Sequence, residues 1–556
     1  MREFVPMLVT TLKGYKANQL VKDVIAGIIV AIIALPLSIA LAIASGVGPE
    51  EGLYTAIIAG ALISLLGGST VQIAGPTAAF ATIVAGVVAA NGMEGLVMAT
   101  VIAGILLVLM GIFKFGSLIK FIPYTITTGF TAGIAVTIFI GQLKDFFGVS
   151  LGGEAPIETV EKVSAFARHI STTNWWSVLV GMLSLVILIV WPKISKKIPG
   201  SLVAVIFGAV MVMLLGEKAG VQTIETTFGQ LSSKLPTLNL PGFDFELIRT
   251  VLPDAFTIAV LAAIESLLSC VVADGMTGSK HRSNMELIAQ GIGNVGSALF
   301  GGIPATGAIA RTAANINNGG KTPIAGIVHA IVLLLILVFL MPYAALIPMP
   351  TIAAILFVVA YNMSQWRPIV RLIKTAPKSD IFVLLITFVL TVVFDLVVAI
   401  AVGIVLACIM FMKRMSDVST VTGWKYEQSE DDSYKLADVP KEIRVFEISG
   451  PMFFGMTDRV ANITTKAYTK CLIIRMRSVP AIDATAMNAL EDLCNNCAKK
   501  GIKVIFSHLN EQPMKSMIKS GLAEKVGMEN IRPHIDDALS YATELCRTNE
   551  VSDGSL

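Results

Sequence analysis

Charge is scarce in this sequence. Asp, Glu, Lys and Arg make up 15% of its 556 residues, where a soluble domain carries about 25%. That shortage excludes an ordinary water-soluble globule. The net charge of +3 is the small difference of 42 basic and 39 acidic residues spread along many loops and says little about partners; no nucleic-acid partner is expected of a membrane chain. There are five histidines, and His169, His281, His329, His508 and His534 form no metal-ligand cluster. Six cysteines give no disulfide framework. Cys494 and Cys497 form a C-x-x-C, but no second pair stands at zinc spacing, and both read as part of one amphipathic helix. A nucleotide-binding loop is missing, which argues against an ATP-driven pump. No nucleophile–base constellation appears, which argues against an enzyme. No cofactor is therefore expected. The segment Met1 to Lys22 is mixed and partly charged, without the pattern of a cleavable signal.

What is abundant is apolar residues, 54% of the chain, with a mean hydropathy of +0.76. They come in blocks of about twenty, long enough for a hydrocarbon core about 30 Å thick. The blocks lie near 22–45, 53–68, 77–91, 95–113, 119–143, 174–192 and 199–216, then near 252–273, 284–300, 307–317, 322–341, 345–361, 379–396 and 397–414. The expected fold is a polytopic α-helical membrane protein of about 14 segments in two sets of about seven.

Alternate connections are basic: Lys114 and Lys120; Lys193, Lys196 and Lys197; Lys280 and Arg282; Arg367, Arg371, Lys374 and Lys378; Lys413 and Arg414. By the positive-inside rule both termini are cytoplasmic, the localisation being a cell (inner) membrane. After Arg414 the composition changes. We divide the chain into a cytosolic segment 1–20, a transmembrane domain 21–415, a linker 416–438 and a small cytosolic α/β domain 439–556. In the last, "IRVFEISG", "CLIIRMRS" and "IKVIFSH" read as strands, with helical patterns near 456–468, 484–500, 511–521 and 535–546.

Two segments look broken at matching places, each the third block of its set. "GGSTVQIAGPTAAFATIVAG" leads into a short helix near Thr77, and "FGGIPATGAIARTAANINNGG" into another near Gly307. Paired interruptions of this kind mark inverted-repeat transporters whose site lies between half-helix ends. Such N-termini carry unpaired N–H groups and partial positive charge, which suits an anion. The blander reading is two kinked spanning helices. Arg311 adds a fixed cation in the second half-helix. Glu265 sits among apolar residues, where a carboxylate is costly unless paired or protonated, and Ser269 lies one turn on. Glu265 with Arg311 reads either as a proton-coupling site or as a static salt bridge. Asp274 and His281 read as loop or capping residues, and Asp395 as a turn or helix cap.

Along nearly its whole length the sequence resembles the SulP family of anion transporters. The stretches that carry this are "GVGPEEGLYTAIIAGALISLLGGSTVQIAGPTAAF", "ADGMTGSKHRSNMELIAQGIGN" and "GGIPATGAIARTAANI". The resemblance implies two inverted seven-segment repeats, a core domain (segments 1–4 and 8–11) moving elevator-like against a gate domain (5–7 and 12–14), and a homodimer. It places the substrate at Thr77, Ala78, Ala79 and Phe80 on one side and Gly307, Ala308, Ile309, Ala310 and Arg311 on the other. It makes Glu265, with Ser269, the proton-coupling position. Sodium-coupled bicarbonate members have Asp at Glu265 and a hydroxyl residue at Ile309, which argues against sodium here. Sulfate-type members read Pro-Gln in segment 1, where this chain has Leu37 and Leu41 at the site-facing positions, closer to a bacterial C4-dicarboxylate carrier. The expected substrate is sulfate, bicarbonate or a C4-dicarboxylate, moved by proton symport; exchange or channel-like conduction is the alternative, and a membrane sensor a further one. The C-terminal part resembles a STAS domain, which implies a cytosolic protein or nucleotide partner. Its loop "SVPAIDATAMNAL" matches the one phosphorylated in related domains. Thr485 is the candidate for that modification, and helix capping is the alternative.

Overall fold

The structure is a computed structural model that describes residues 2–117, 123–151, 156, 158–195, 198–231, 233–239, 242, 244–394, 396–424 and 439–553. Lys120, Lys196, Lys197, Asp395 and residues 425–438 of the expected linker lie outside the described residues. The chain divides into two compact units, Met1–Ile404 and Val405–Leu556.

The first unit is helical because a chain in hydrocarbon must satisfy every backbone N–H and C=O internally. Its main helices are α1 (Ala17–Ala44), α2 (Pro49–Leu66), α3 (Ala81–Ile112), α4 (Tyr124–Gly141), α5 (Trp175–Ile194) and α6 (Gly200–Leu215). The second half follows with α7 (Phe245–Thr277), α8 (Ser283–Leu299), α9 (Ile309–Asn317), α10 (Ile324–Ala344), α11 (Met349–Met363), α12 (Lys378–Val393) and α13 (Leu396–Val418), the last running on into the second unit. Among the described residues, eight helices are long and apolar enough to cross a membrane. The other hydrophobic blocks form shorter helices. α3 is two helices in one, interrupted at Gly92 with φ 66°. An L-residue pays a steric cost in that left-handed region and glycine does not.

The helices pack in two groups. α1, α2, α3, α7, α8, α9 and α10 lie against one another, and α4, α5, α6, α11 and α12 form the other set. The second group has an aromatic centre, with Phe357 stacked on Phe139 at 4.5 Å and tilted against Phe146 at 4.9 Å between ring centroids. Between the halves of the first group run two short strands, β1 (Ala74–Gly75) and β2 (Thr306–Gly307), paired antiparallel.

The second unit holds a five-stranded sheet in the order β3 (Thr420–Gly423), β4 (Ile443–Ser449), β5 (Cys471–Ser478), β6 (Lys503–Ser507) and β7 (Ile531–Arg532). β3 is antiparallel to β4, and the remaining neighbours are parallel. Strand β3 corrects the sequence reading, which gave residues 416–438 to a linker. Its Thr420-Val421-Thr422 alternation is short but β-branched, and it pairs an otherwise open edge. Helices α14 (Ala484–Lys499) and α15 (Glu511–Lys519) cover one face, with Leu490 and Met517 fully buried. Helix α16 (Ile535–Asp553) covers the other over Ile473 and Ile505. Cys494 and Cys497 are free, buried thiols of the first of these cores.

Candidate functional site

The strand pair β1–β2 fixes the positions of two half-helices. Ala74 faces Gly307 and Gly75 faces Thr306, and Ala308 N–H extends the ladder to Ile73 O at 2.9 Å. Beyond β1, Thr77 is extended, and Ala78–Phe80 form a 3₁₀ turn that opens α3. Beyond β2, Ala308 is extended and α9 begins at Ile309. Neither N-terminus has a side-chain cap. Ile309 and Ala310 are exposed, whereas Ala78, Ala79 and Phe80 are buried. Both elements therefore offer backbone N–H groups with partial positive charge.

Side chains from three helices complete the arrangement. Arg311 is 2% exposed, and its Nη2 donates to Ser38 Oγ and to Pro76 O, each at 3.2 Å. Its Nη1 is buried without a hydrogen-bond partner. Glu265 accepts from Thr77 Oγ1 at 2.9 Å. The expected alternative of a static Glu265–Arg311 salt bridge is not what the structure contains, because the guanidinium turns to α1 and the Pro76 carbonyl instead. Ser269, grouped with Glu265 from the sequence, is fully buried and donates to Thr312 Oγ1 of α9 at 3.5 Å. It holds the second half-helix rather than the carboxylate.

Leu37 is partly buried against the apolar cluster of Phe146, Leu188 and Ala353 in the second helix group. Leu41 is buried at 5% exposure. Neither brings a polar atom. The polar contribution of α1 comes from Ser38, which the sequence reading passed over; the signal was a hydroxyl following Pro36 in an otherwise apolar run.

A buried polar frame, also missed from sequence, holds the strands. Ser266 Oγ pairs with Thr306 Oγ1 at 2.7 Å and accepts from Gly307 N–H at 3.1 Å. Thr312 Oγ1 accepts from Ile73 N–H at 3.1 Å. Glu286, with no exposed surface, accepts from Gly68 N–H at 2.8 Å, Gln72 Nε2 at 2.7 Å and Gln290 Nε2 at 2.8 Å. Asn294 bonds both the N–H and the C=O of Ala305, at 2.8 and 2.9 Å. Outside this frame, Asp274 pairs with His281 at 2.7 Å, as expected of a loop. Thr485 is exposed in the first turn of α14, where Asp483 caps Ala486 N–H at 2.8 Å. Among the described residues, no group of three or more His, Cys, Asp or Glu side chains is placed to hold a metal ion.

With this geometry in view, the comparison with known proteins decides the family. The profile of the sulfate permease family matches residues 20–387, and that of the STAS domain matches residues 434–538. The chain belongs to the sulfate permease family. As a member it is a membrane-embedded anion transporter with a C-terminal STAS domain. It is 40% identical to YvdB of Bacillus subtilis, over 94% of this chain and 98% of that one. It is 30% identical to the bicarbonate transporter BicA of Picosynechococcus, over 94% of each. Among solved structures, the transmembrane domain of a cyanobacterial BicA superposes with a TM-score of 0.61 at 32% identity, covering 69% of this chain and 98% of that one. The murine Solute Carrier 26 family member A9 anion transporter superposes with a TM-score of 0.87 at 18% identity, covering 97% and 94%. That second likeness carries the fold alone.

Proposed function

We propose that this permease is a secondary active transporter that moves a small anion together with a proton. The observation that carries the proposal is the convergence of two uncapped half-helix N-termini with an Arg311 Nη1 that has no partner. The half-helix N–H groups and Arg311 Nη1 are donors, and a buried donor is costly to leave unmatched. An anion supplies the acceptor. Sulfate, bicarbonate and a C4-dicarboxylate all fit this chemistry, and Leu37 and Leu41 leave the α1 side without the glutamine of sulfate-type members.

Coupling follows from the Thr77–Glu265 hydrogen bond. While the carboxylate is ionised, it holds the Thr77 hydroxyl as its donor. A proton on Glu265 removes that need and releases the Thr77 O–H toward the anion. Proton and anion then favour each other's binding reciprocally. Neutralised charge also crosses a low-dielectric barrier at lower cost. In this reading the α1–α3 and α7–α10 group is the moving core, and the α4–α6, α11 and α12 group, joined by α13, is the gate. The chain is a homodimer in the inner membrane with both termini cytoplasmic, and the STAS domain is regulatory.

Proteoliposomes with an imposed pH gradient test the coupling, using sulfate, bicarbonate, fumarate and succinate in turn. Acid on the outside accelerates uptake of the true substrate, and Glu265→Gln removes the acceleration. Uptake indifferent to the gradient rules out symport. Strong stimulation by internal anion, with Glu265→Gln tolerated, establishes exchange instead.

A further inference from the structure

The STAS unit carries a polar row that its fold does not use. On the α16 face of the sheet, Val445, Ile473 and Ile505 form an in-register apolar row covered by α16. Two residues further, toward the carboxyl ends of the strands, the same face reads Glu447, Arg475, Ser507 and Arg532 across β4, β5, β6 and β7. The carboxyl end of parallel strands is where open α/β sheets bind ligands. α16 starts only at Ile535, so the row lies beside its first turn. His508 continues β6 with φ 56° and donates its N–H to Arg532 O at 3.1 Å. His534 Nδ1 stands 3.4 Å from His508 Nε2.

Part of this row is satisfied. Arg475 pairs with Glu447 at 3.1 Å and lies over the Trp424 ring at 5.4 Å. Arg532 lies over Tyr541 at 4.0 Å. Yet three buried polar atoms on adjoining residues have no hydrogen-bond partner: Ser507 Oγ, His508 Nδ1 and Arg532 Nε. Ser507 has no exposed surface at all. Arg532 Nε–H can only donate, Ser507 can donate, and His508 Nδ1 donates in one tautomer. What is missing is an acceptor. The fixed charges around these atoms balance, with Arg475, Arg477 and Arg532 against Glu447 on β4 and Asp536 and Asp537 on α16, so the case for an acceptor rests on the unmatched polar atoms. Burial first, then His534, Arg475 and Arg477, hold His508 below the ordinary histidine value, with Asp536 opposing.

We propose that this edge is an oxyanion-binding site of the STAS domain, in which Ser507, His508, Arg532 and His534 take a phosphate or phosphoryl group. A tetrahedral oxyanion presents several acceptor oxygens, and a guanidinium matches it with a planar set of donors. The site is separate from the membrane site and does not depend on the transport reading. Free phosphate and the phosphate of a larger molecule share this chemistry.

Calorimetric titration of the full-length chain with inorganic phosphate tests it, in an Arg311→Gln background that removes the oxyanion site of the membrane unit. One saturable site per chain is expected, weakened at least tenfold by Arg532→Gln and by His534→Gln, with Arg532→Lys intermediate. His534 is exposed, so its variant decides the matter if Arg532→Gln fails to fold. A second arm uses a nucleoside diphosphate. Binding tenfold tighter than phosphate identifies a nucleotide phosphoryl group as the ligand, and equal binding identifies the free anion. Either supports the site. No phosphate binding in the parent, or equal binding in all variants, overturns it.

Discussion

At Arg311 one side chain has two tasks. Nη2 anchors the guanidinium to Ser38 and the Pro76 carbonyl, and Nη1 is left over. Gly75 makes room for this, since a Cβ there would run into Nη1. Removing the anchor should loosen the free donor. Ser38→Ala is expected to weaken anion affinity roughly tenfold, since a hydrogen bond to a charged group contributes about 1.5–3 kcal/mol. Flux should saturate at a higher concentration with kcat little changed; an unaltered KM would show that Ser38 does not position Arg311. In the second unit, His508 gives a pH prediction with a definite sign. Its folded-state value lies below the ordinary one, so the unfolded chain takes up the proton first as pH falls. The stability contribution is complete above about pH 6.5 and declines below it. Thermal unfolding of the full-length chain should show the STAS transition weakening on acidification, with His508→Gln flattening the dependence. The residues legible from sequence were those whose chemistry breaks an apolar pattern, such as Glu265 and Arg311. Ser38, Ser266 and Thr312 were not legible, because a hydroxyl in a helix gives no sign of which distant backbone it serves.

Among the elements, the broken helices could be read from their Gly and Pro interruptions, and strands β4, β5 and β6 from their apolar alternation. The frame holding the broken helices could not. Glu286 looks like a surface residue in "HRSNMELIAQ", yet it is buried and satisfies three donors from two segments. Helical periodicity says which face a residue occupies, not whether that face meets water or a loop. Glu286→Ala leaves Gly68 N–H, Gln72 Nε2 and Gln290 Nε2 without their acceptor, at about 1–3 kcal/mol for each group left unmatched. The variant should lose thermal stability and anion binding together, as scintillation proximity binding on the detergent-purified protein would report. Glu286→Gln retains one acceptor and should lie between. The helix Trp366–Thr375 was likewise unread, because its Arg367, Arg371 and Lys374 suggested only a basic loop; it has no buried residue.

For the molecule as a whole, the two compact units have separate cores, divided within α13. Every polar contact at the candidate membrane site comes from the first unit. Deleting residues 430–556 should therefore leave proteoliposome uptake intact in substrate preference and pH dependence, although its rate falls. Loss of substrate preference on truncation would show that the STAS domain shapes the site.

The two-residue strands β1 and β2 also bear on how the protein is made. Ile73 and Thr312, which meet beside them, are 239 residues apart in the chain. At a synthesis rate of about 5–20 residues per second, the first half waits roughly 10–50 s in the bilayer before its partner emerges. Throughout that interval its broken segment has backbone groups that only the second half will satisfy. Biogenesis of this protein is thus a holding problem. A ribosome stalled between the halves should trap a chain that is inserted, protease-sensitive near residue 75 and dependent on the insertion machinery for protection.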